Sequence, residues 1–133
     1  MTEPGETFNW VKARHECSVV AVFERLKLRA GADVDERNRL GTSSERPLKE
    51  FQVRSANGDR FVVVQDTSPP RSVAFVLSGR QICVTSDSPP INFAGVVTLN
   101  DEGECRLKVG DDELEEWQVL KRALETLFFG DGA

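Results

Sequence analysis

Zinc coordination and thiol catalysis both depend on histidine and cysteine, and the chain has His15, Cys17, Cys83 and Cys105. Together they would supply the four ligands of a tetrahedral zinc site. Such sites, however, favour repeated pairs of ligands about two to four residues apart, and these four residues show no such repeat. His15 and Cys17 are neighbours two apart, which point away from each other on a helix. The sequence therefore predicts no metal ligand and no thiol–imidazole catalytic pair.

Other recognisable chemistry is also missing from the sequence. There is no glycine-rich phosphate loop, no serine nucleophile elbow and no paired-histidine metalloprotease motif. The ten glycines are scattered and fall mostly at expected turns. Carboxylates are plentiful, but a catalytic pair is defined by its geometry across the fold. We therefore predict no cofactor and no catalytic residue, and we favour a non-enzymatic function.

The charge balance limits the possible partners. The net charge is −5, and the acidic excess lies in residues 101–133, where ten acidic side chains face four basic ones. Phosphate backbones and anionic lipids select basic surfaces, so we expect no nucleic-acid and no membrane partner. An odd, low cysteine count argues against a disulfide framework. No secretory leader is recognisable at the start. These features predict a reduced, cytoplasmic protein.

The elements follow from hydrophobic periodicity. We expect one domain over residues 1–133, with a loose terminus at 1–7, a helical region at 18–40 and an antiparallel sheet at 49–109. The sheet should have about six strands, because short alternating segments are separated by turn signals and no crossover helix. Gly31 leaves open whether the first helix breaks. The predicted class is α+β, with a meandering sheet.

The segment 111–129 predicts an amphipathic helix packed on this sheet. Its apolar stripe runs from Leu114 and Trp117 to Leu127 and Phe128, and its acidic start suits the helix dipole. The stretch "DDELEEWQVLKRAL" resembles the closing helix of pleckstrin-homology domains, a family that opens with strands. Here a helix precedes most strands and no basic phosphoinositide motif is matched, so the resemblance implies no function for this chain.

The central strands carry apolar side chains on both faces. An antiparallel sheet covered on one side is normally polar on the other. The second face is then covered within the chain, by a second subunit, or by a small-molecule cavity. We predict a binding or assembly module that self-associates as a homodimer, with another protein as a possible partner. Its expected interface residues are Val64, Val76, Trp10, Trp117 and Phe129.

The alternative is a small ligand-binding protein or enzyme with a cavity between the sheet and the helices. Such a cavity needs converging polar groups in an apolar pocket. The candidate lining residues are Arg54, Gln81, Thr85 and Arg106.

Overall fold

A computed structural model describes residues 7–41, 50–67 and 69–130. Within these ranges the chain forms three helices and one seven-stranded antiparallel sheet, which confirms the α+β class. The expected loose terminus at 1–7, apart from Thr7, and the polar loop after Gly41 lie outside the described residues. The elements are α1 (Trp10–Glu16), α2 (Val19–Gly41), β1 (Phe51–Asn57), β2 (Arg60–Gln65), β3 (Arg71–Ser78), β4 (Gln81–Ser86), β5 (Ile91–Leu99), β6 (Cys105–Val109), β7 (Asp112–Leu114) and α3 (Glu116–Phe129).

The helical region predicted at 18–40 is helix α2, and a further helix, α1, precedes it and is separated from it at Cys17 and Ser18. Ser18 caps the second one, because its hydroxyl oxygen accepts a hydrogen bond from the Ala21 N–H at 3.1 Å. Helix α2 then runs unbroken through Gly31, although a mid-helix glycine costs about 1 kcal/mol relative to alanine. Ala30 and Val34 are buried on either side of it. Tertiary packing of this stripe therefore outweighs the low helix propensity of one residue.

The sheet is a simple meander in the order β1-β2-β3-β4-β5-β6-β7. Six strands match the expectation, and the seventh forms where the sequence predicted the start of the last helix. Leu114 pairs with Leu107 across β6 and β7. The helix begins only at Glu116, where Gln118 Oε1 accepts the Glu115 N–H at 2.8 Å in a capping box. A local cap and strand pairing thus move the boundary that periodicity placed at 111.

The buried stripe of α3 differs from the expected one at its first turn. The helix buries Val119, Leu120, Ala123, Leu124, Leu127 and Phe128, whereas Trp117 is 52% exposed. Trp117 is therefore not part of the stripe that docks on the sheet, contrary to the sequence-based expectation.

One core lies between the sheet and the helices. The ring of Phe61 in β2 stacks on Phe75 in β3 with centroids 4.5 Å apart, and Phe23 of α2 contacts Phe61 at 5.3 Å. All three side chains are fully buried. The buried strand residues share one face, so α2 and α3 cover that face of the sheet and leave the other uncovered by the described residues.

A disulfide joins Cys17 to Cys105, with 5.5 Å between their Cα atoms and 88 residues between them in sequence. The expectation that these cysteines stay reduced is therefore wrong. Cys17 lies in the short connection between α1 and α2, and Cys105 opens β6 on the helix-facing side, so the fold brings the two sulfurs together. Cys83 is a free thiol on the opposite face.

Candidate functional site

The outer sheet face, meaning the strand residues that point away from the helices, has an apolar centre. Register pairs Val62 with Ala74, and Val76 with Cys83, so these side chains are cross-strand neighbours. Most of them are half-buried by neighbouring strand residues, while Val96 is 41% exposed. The apolar members of the outer sheet face are Val62, Val64, Ala74, Val76, Cys83, Ala94 and Val96.

Polar side chains surround this apolar centre. Arg54, Gln81 and Thr85 lie on the outer sheet face, because each is the cross-strand partner of one of the apolar residues of that face. They therefore do not line a space between the sheet and the helices, which was the position expected for a ligand cavity. That space is filled by core side chains such as Phe75 and Leu124.

Aromatic rings are missing from the outer sheet face within the described strands. The strand phenylalanines all belong to the core or pack against it: Phe51, Phe61, Phe75 and Phe93. Non-specific binding of single-stranded nucleic acid relies on aromatic platforms for base stacking. The outer sheet face offers none, so it is chemically suited to another apolar surface.

A second apolar surface lies on the helix layer, in a groove between α2 and α3 of about 350 Å³. We call it the α2–α3 groove. Its floor consists of Leu120, Leu124 and Phe128, which are buried, and its walls include Trp117 and Phe129. The remaining lining residues are Asp33, Glu36, Arg37, Leu40, Lys121 and Glu125.

Arg37 holds one end of the α2–α3 groove in place. Its Nε donates a hydrogen bond to the Phe128 carbonyl at 2.9 Å, and its guanidinium carbon lies 5.2 Å from the Phe51 ring centroid and 5.3 Å from that of Phe129. Phe129 nevertheless remains 57% exposed. The cation–π contact therefore positions an aromatic wall that the described residues leave exposed.

The interface residues expected from sequence thus fall on different surfaces. Val64 and Val76 belong to the outer sheet face, while Trp117 and Phe129 belong to the α2–α3 groove on the opposite side of the sheet. Trp10 lies on α1 and is 63% exposed. Sequence periodicity identified apolar side chains without a partner, but it could not assign them to separate surfaces.

A polar pocket of about 190 Å³ adjoins the N-terminal end of α3. Glu116 bridges two arginines of α2 there, with its carboxylate oxygens 2.8 Å from Arg25 Nε and 2.9 Å from Arg29 Nε. Arg106 also lines this pocket and pairs with Glu104 at 2.9 Å. Arg25 and Arg29 share the single carboxylate of Glu116, so the cluster ties α2 to α3. Sequence analysis assigned Glu116 only to the helix dipole and missed this bridge.

Asp33, on the rim of the α2–α3 groove, has a raised pKa because partial burial penalises its charged form more than nearby Arg29 stabilises it. A raised pKa in the folded state means that ionised Asp33 opposes folding at neutral pH and that this opposition disappears as pH falls through the folded pKa. We expect Asp33→Asn to raise the melting temperature slightly at pH 7, and the gain to shrink as the pH falls toward the ordinary aspartate pKa of 3.8. Thermal denaturation of both proteins across pH 4–8 measures this. A destabilised variant at pH 7 would contradict it.

Three further observations bear on function. Among the described residues, no helix is long and apolar enough to cross a membrane. In the same ranges, no three histidine, cysteine or acidic side chains converge as metal ligands would. Comparisons with protein-family models, with curated proteins and with solved structures found no match to this chain.

Proposed function

We propose that this chain is a non-enzymatic assembly module that self-associates through the outer sheet face. The observation that carries the proposal is the continuous apolar centre of that face, which the described helices leave uncovered. A contiguous apolar patch rimmed by polar residues is typical of a protein-binding surface.

The chemistry of the outer sheet face favours a second sheet as its partner. Its apolar side chains are small or β-branched, and two such faces can interdigitate at the spacing of packed sheets, roughly 10 Å. A two-fold arrangement uses the same patch on both chains and closes as a dimer. The charged residues Arg54 on β1 and Lys108 on β6 border the apolar centre, as cross-strand partners of Val62 and Val96, and both are exposed at its rim.

The filled space between sheet and helices gives no support to a ligand cavity there. Another protein remains the second kind of partner, because the same patch would accept any complementary apolar face. A cytoplasmic location stays a prediction, and the Cys17–Cys105 disulfide weighs against it, since cytosolic thiols are kept reduced.

The test introduces a carboxylate at the centre of the outer sheet face. We expect the unaltered protein to self-associate and Val76→Glu to stay folded and to sediment as a smaller species, because a carboxylate at an apolar interface loses its hydration even with Arg60 as its cross-strand neighbour. The matched control is Leu28→Glu, which adds the same charge to an exposed apolar position of α2.

Circular dichroism separates loss of assembly from loss of folding. If Val76→Glu unfolds, the exposed Val96 supplies a milder position, and Val96→Glu should also reduce the sedimenting mass. Self-association that is unchanged in folded Val76→Glu and Val96→Glu proteins would refute the proposed interface. So would an unaltered protein that stays monomeric up to hundreds of micromolar.

A further inference from the structure

Helix α1 has no buried residue, although it begins with two large apolar side chains. Trp10 and Val11 are both exposed, as is Phe8 just before the helix. We infer that α1 docks in the α2–α3 groove of a second copy of this chain, with Trp10 as its anchor. This contact involves a surface different from the outer sheet face and goes beyond the function proposed above.

The first argument is the state of α1 itself. Isolated helices shorter than about 12 residues are marginal in water, and α1 has 7. Within its own chain it is fixed at its ends, by the Cys17–Cys105 disulfide and by the Phe8 ring against Gly103. The side that carries Trp10 and Val11 has no partner among the described residues. Tryptophan is enriched at the energetic centres of protein interfaces.

The second argument is the fit of the α2–α3 groove. A groove of about 350 Å³ with an apolar floor has room for an indole ring, and two aromatic walls, Trp117 and Phe129, flank it. Offset or edge-on aromatic contacts would add to the buried area. An amphipathic helix lying in an apolar groove is a recurrent way for proteins to bind helices.

Charge also matches. Helix α1 carries two cations, Lys12 and Arg14, and one carboxylate, Glu16. The groove is lined by three carboxylates against two cations, and one of those cations, Arg37, is directed inward to the Phe128 carbonyl and the aromatic rings. A weakly basic helix therefore meets a weakly acidic rim, which favours this orientation of the two surfaces.

Distance excludes α1 of the same chain as the occupant and leaves α1 of a second copy. The groove residues of α2, Asp33 to Leu40, lie 15 to 22 residues beyond Ser18, which is roughly 22–33 Å along the helix axis. Helix α1 is only about 10 Å long and is tethered at Cys17, at the other end of α2. It cannot reach the groove of its own chain. Two chains with antiparallel α2 helices would each place α1 at the partner's groove, which gives a closed two-fold pair.

The experiment removes the outer-sheet contact and then follows Trp10. The chain has two tryptophans, so Trp117→Phe leaves Trp10 as the only one and keeps an aromatic wall in the groove. In a Val76→Glu, Trp117→Phe protein, we expect the emission of Trp10 to shift to shorter wavelength as concentration rises, in step with dimer formation by sedimentation. Adding Leu40→Asp at the groove rim should weaken this association at least about tenfold, whereas Leu28→Asp should leave it unchanged.

Mixing provides a second, independent readout. In the Val76→Glu background, Trp10→Asp removes the anchor of α1 but keeps the groove, whereas Leu40→Asp alters the groove but keeps α1. Each variant alone should be monomeric. Native mass spectrometry of the mixture should show a heterodimer, in which α1 of the Leu40→Asp chain lies in the groove of the Trp10→Asp chain. Association that is unchanged by Trp10→Asp, or a Trp10 emission that does not depend on concentration, would overturn the inference.

The outcomes separate this inference from the proposed function. Loss of all association in Val76→Glu, with Trp10 still solvent-exposed, would leave the outer sheet face as the interface and refute docking of α1. Association that Val76→Glu leaves unchanged and that disappears with Trp10→Asp would refute the outer-sheet dimer and support docking of α1.

Discussion

Replacement of Phe61 by alanine is expected to lower the free energy of unfolding by about 3–5 kcal/mol. Phe61 is fully buried and its ring lies between two others, stacked on Phe75 at 4.5 Å and tilted against Phe23 at 5.3 Å. Alanine would remove the transfer energy of the ring and leave a cavity whose walls belong to both layers. A loss of this size is a large part of the stability of a typical domain, roughly 5–15 kcal/mol.

Chemical denaturation followed by tryptophan emission and circular dichroism measures this loss. The control is Phe129→Ala, which deletes the same ring from a site that is mostly exposed and should cost much less. If the two variants lost similar stability, the Phe23–Phe61–Phe75 stack would not be the centre of the core.

Removal of the disulfide should have the second large effect. It closes a loop of 88 residues, and loss of a native disulfide commonly costs about 2–5 kcal/mol, because the unfolded chain gains freedom. We expect the double variant Cys17→Ala, Cys105→Ala to lose stability in this range. The unaltered protein should lose a similar amount when reductant is added.

The response of each variant to reductant provides the control. The double variant should not respond to it, while Cys83→Ala should respond as the unaltered protein does, since Cys83 is a free thiol. Equal stability with and without reductant in the unaltered protein would show that the Cys17–Cys105 bond does not contribute to folding. Counting free thiols under denaturing conditions separates that result from a bond that never formed.

Periodicity was sufficient for most of the fold. The alternation of core residues such as Val73 and Phe75 identified strands, and the four- and three-residue steps of α2 identified a helix, because each pattern reflects one buried face. The one boundary error, at the start of the last helix, arose because pairing of Leu114 with Leu107 in a hairpin made a strand of an expected helical residue. Whether α2 breaks at Gly31 was left open by the sequence, and packing on either side of Gly31 keeps the helix intact.

The candidate surfaces were only partly predictable. The sequence showed that the strands are apolar on both faces, but the α2–α3 groove depends on how two helices 75 residues apart in sequence pack together, since Gly41 ends one and Glu116 begins the other. The disulfide was missed for the same reason. Spacing along the chain carries no information about two cysteines that meet only after the sheet and helices have formed.

The meander has a consequence for the order of folding. Every strand pairs with its immediate neighbours in sequence, so the sheet can form hairpin by hairpin, and each new strand closes only a short loop. The slow steps are the contacts between helices at the two ends of the chain. The Glu116 carboxylate pairs with Arg25, 91 residues away, and Arg37 donates to the Phe128 carbonyl across the same separation. These sequence separations favour a folding intermediate in which the sheet is nearly complete but the helices have not yet packed on it. Such an intermediate would expose the phenylalanine-rich face of the sheet until α3 packs against it.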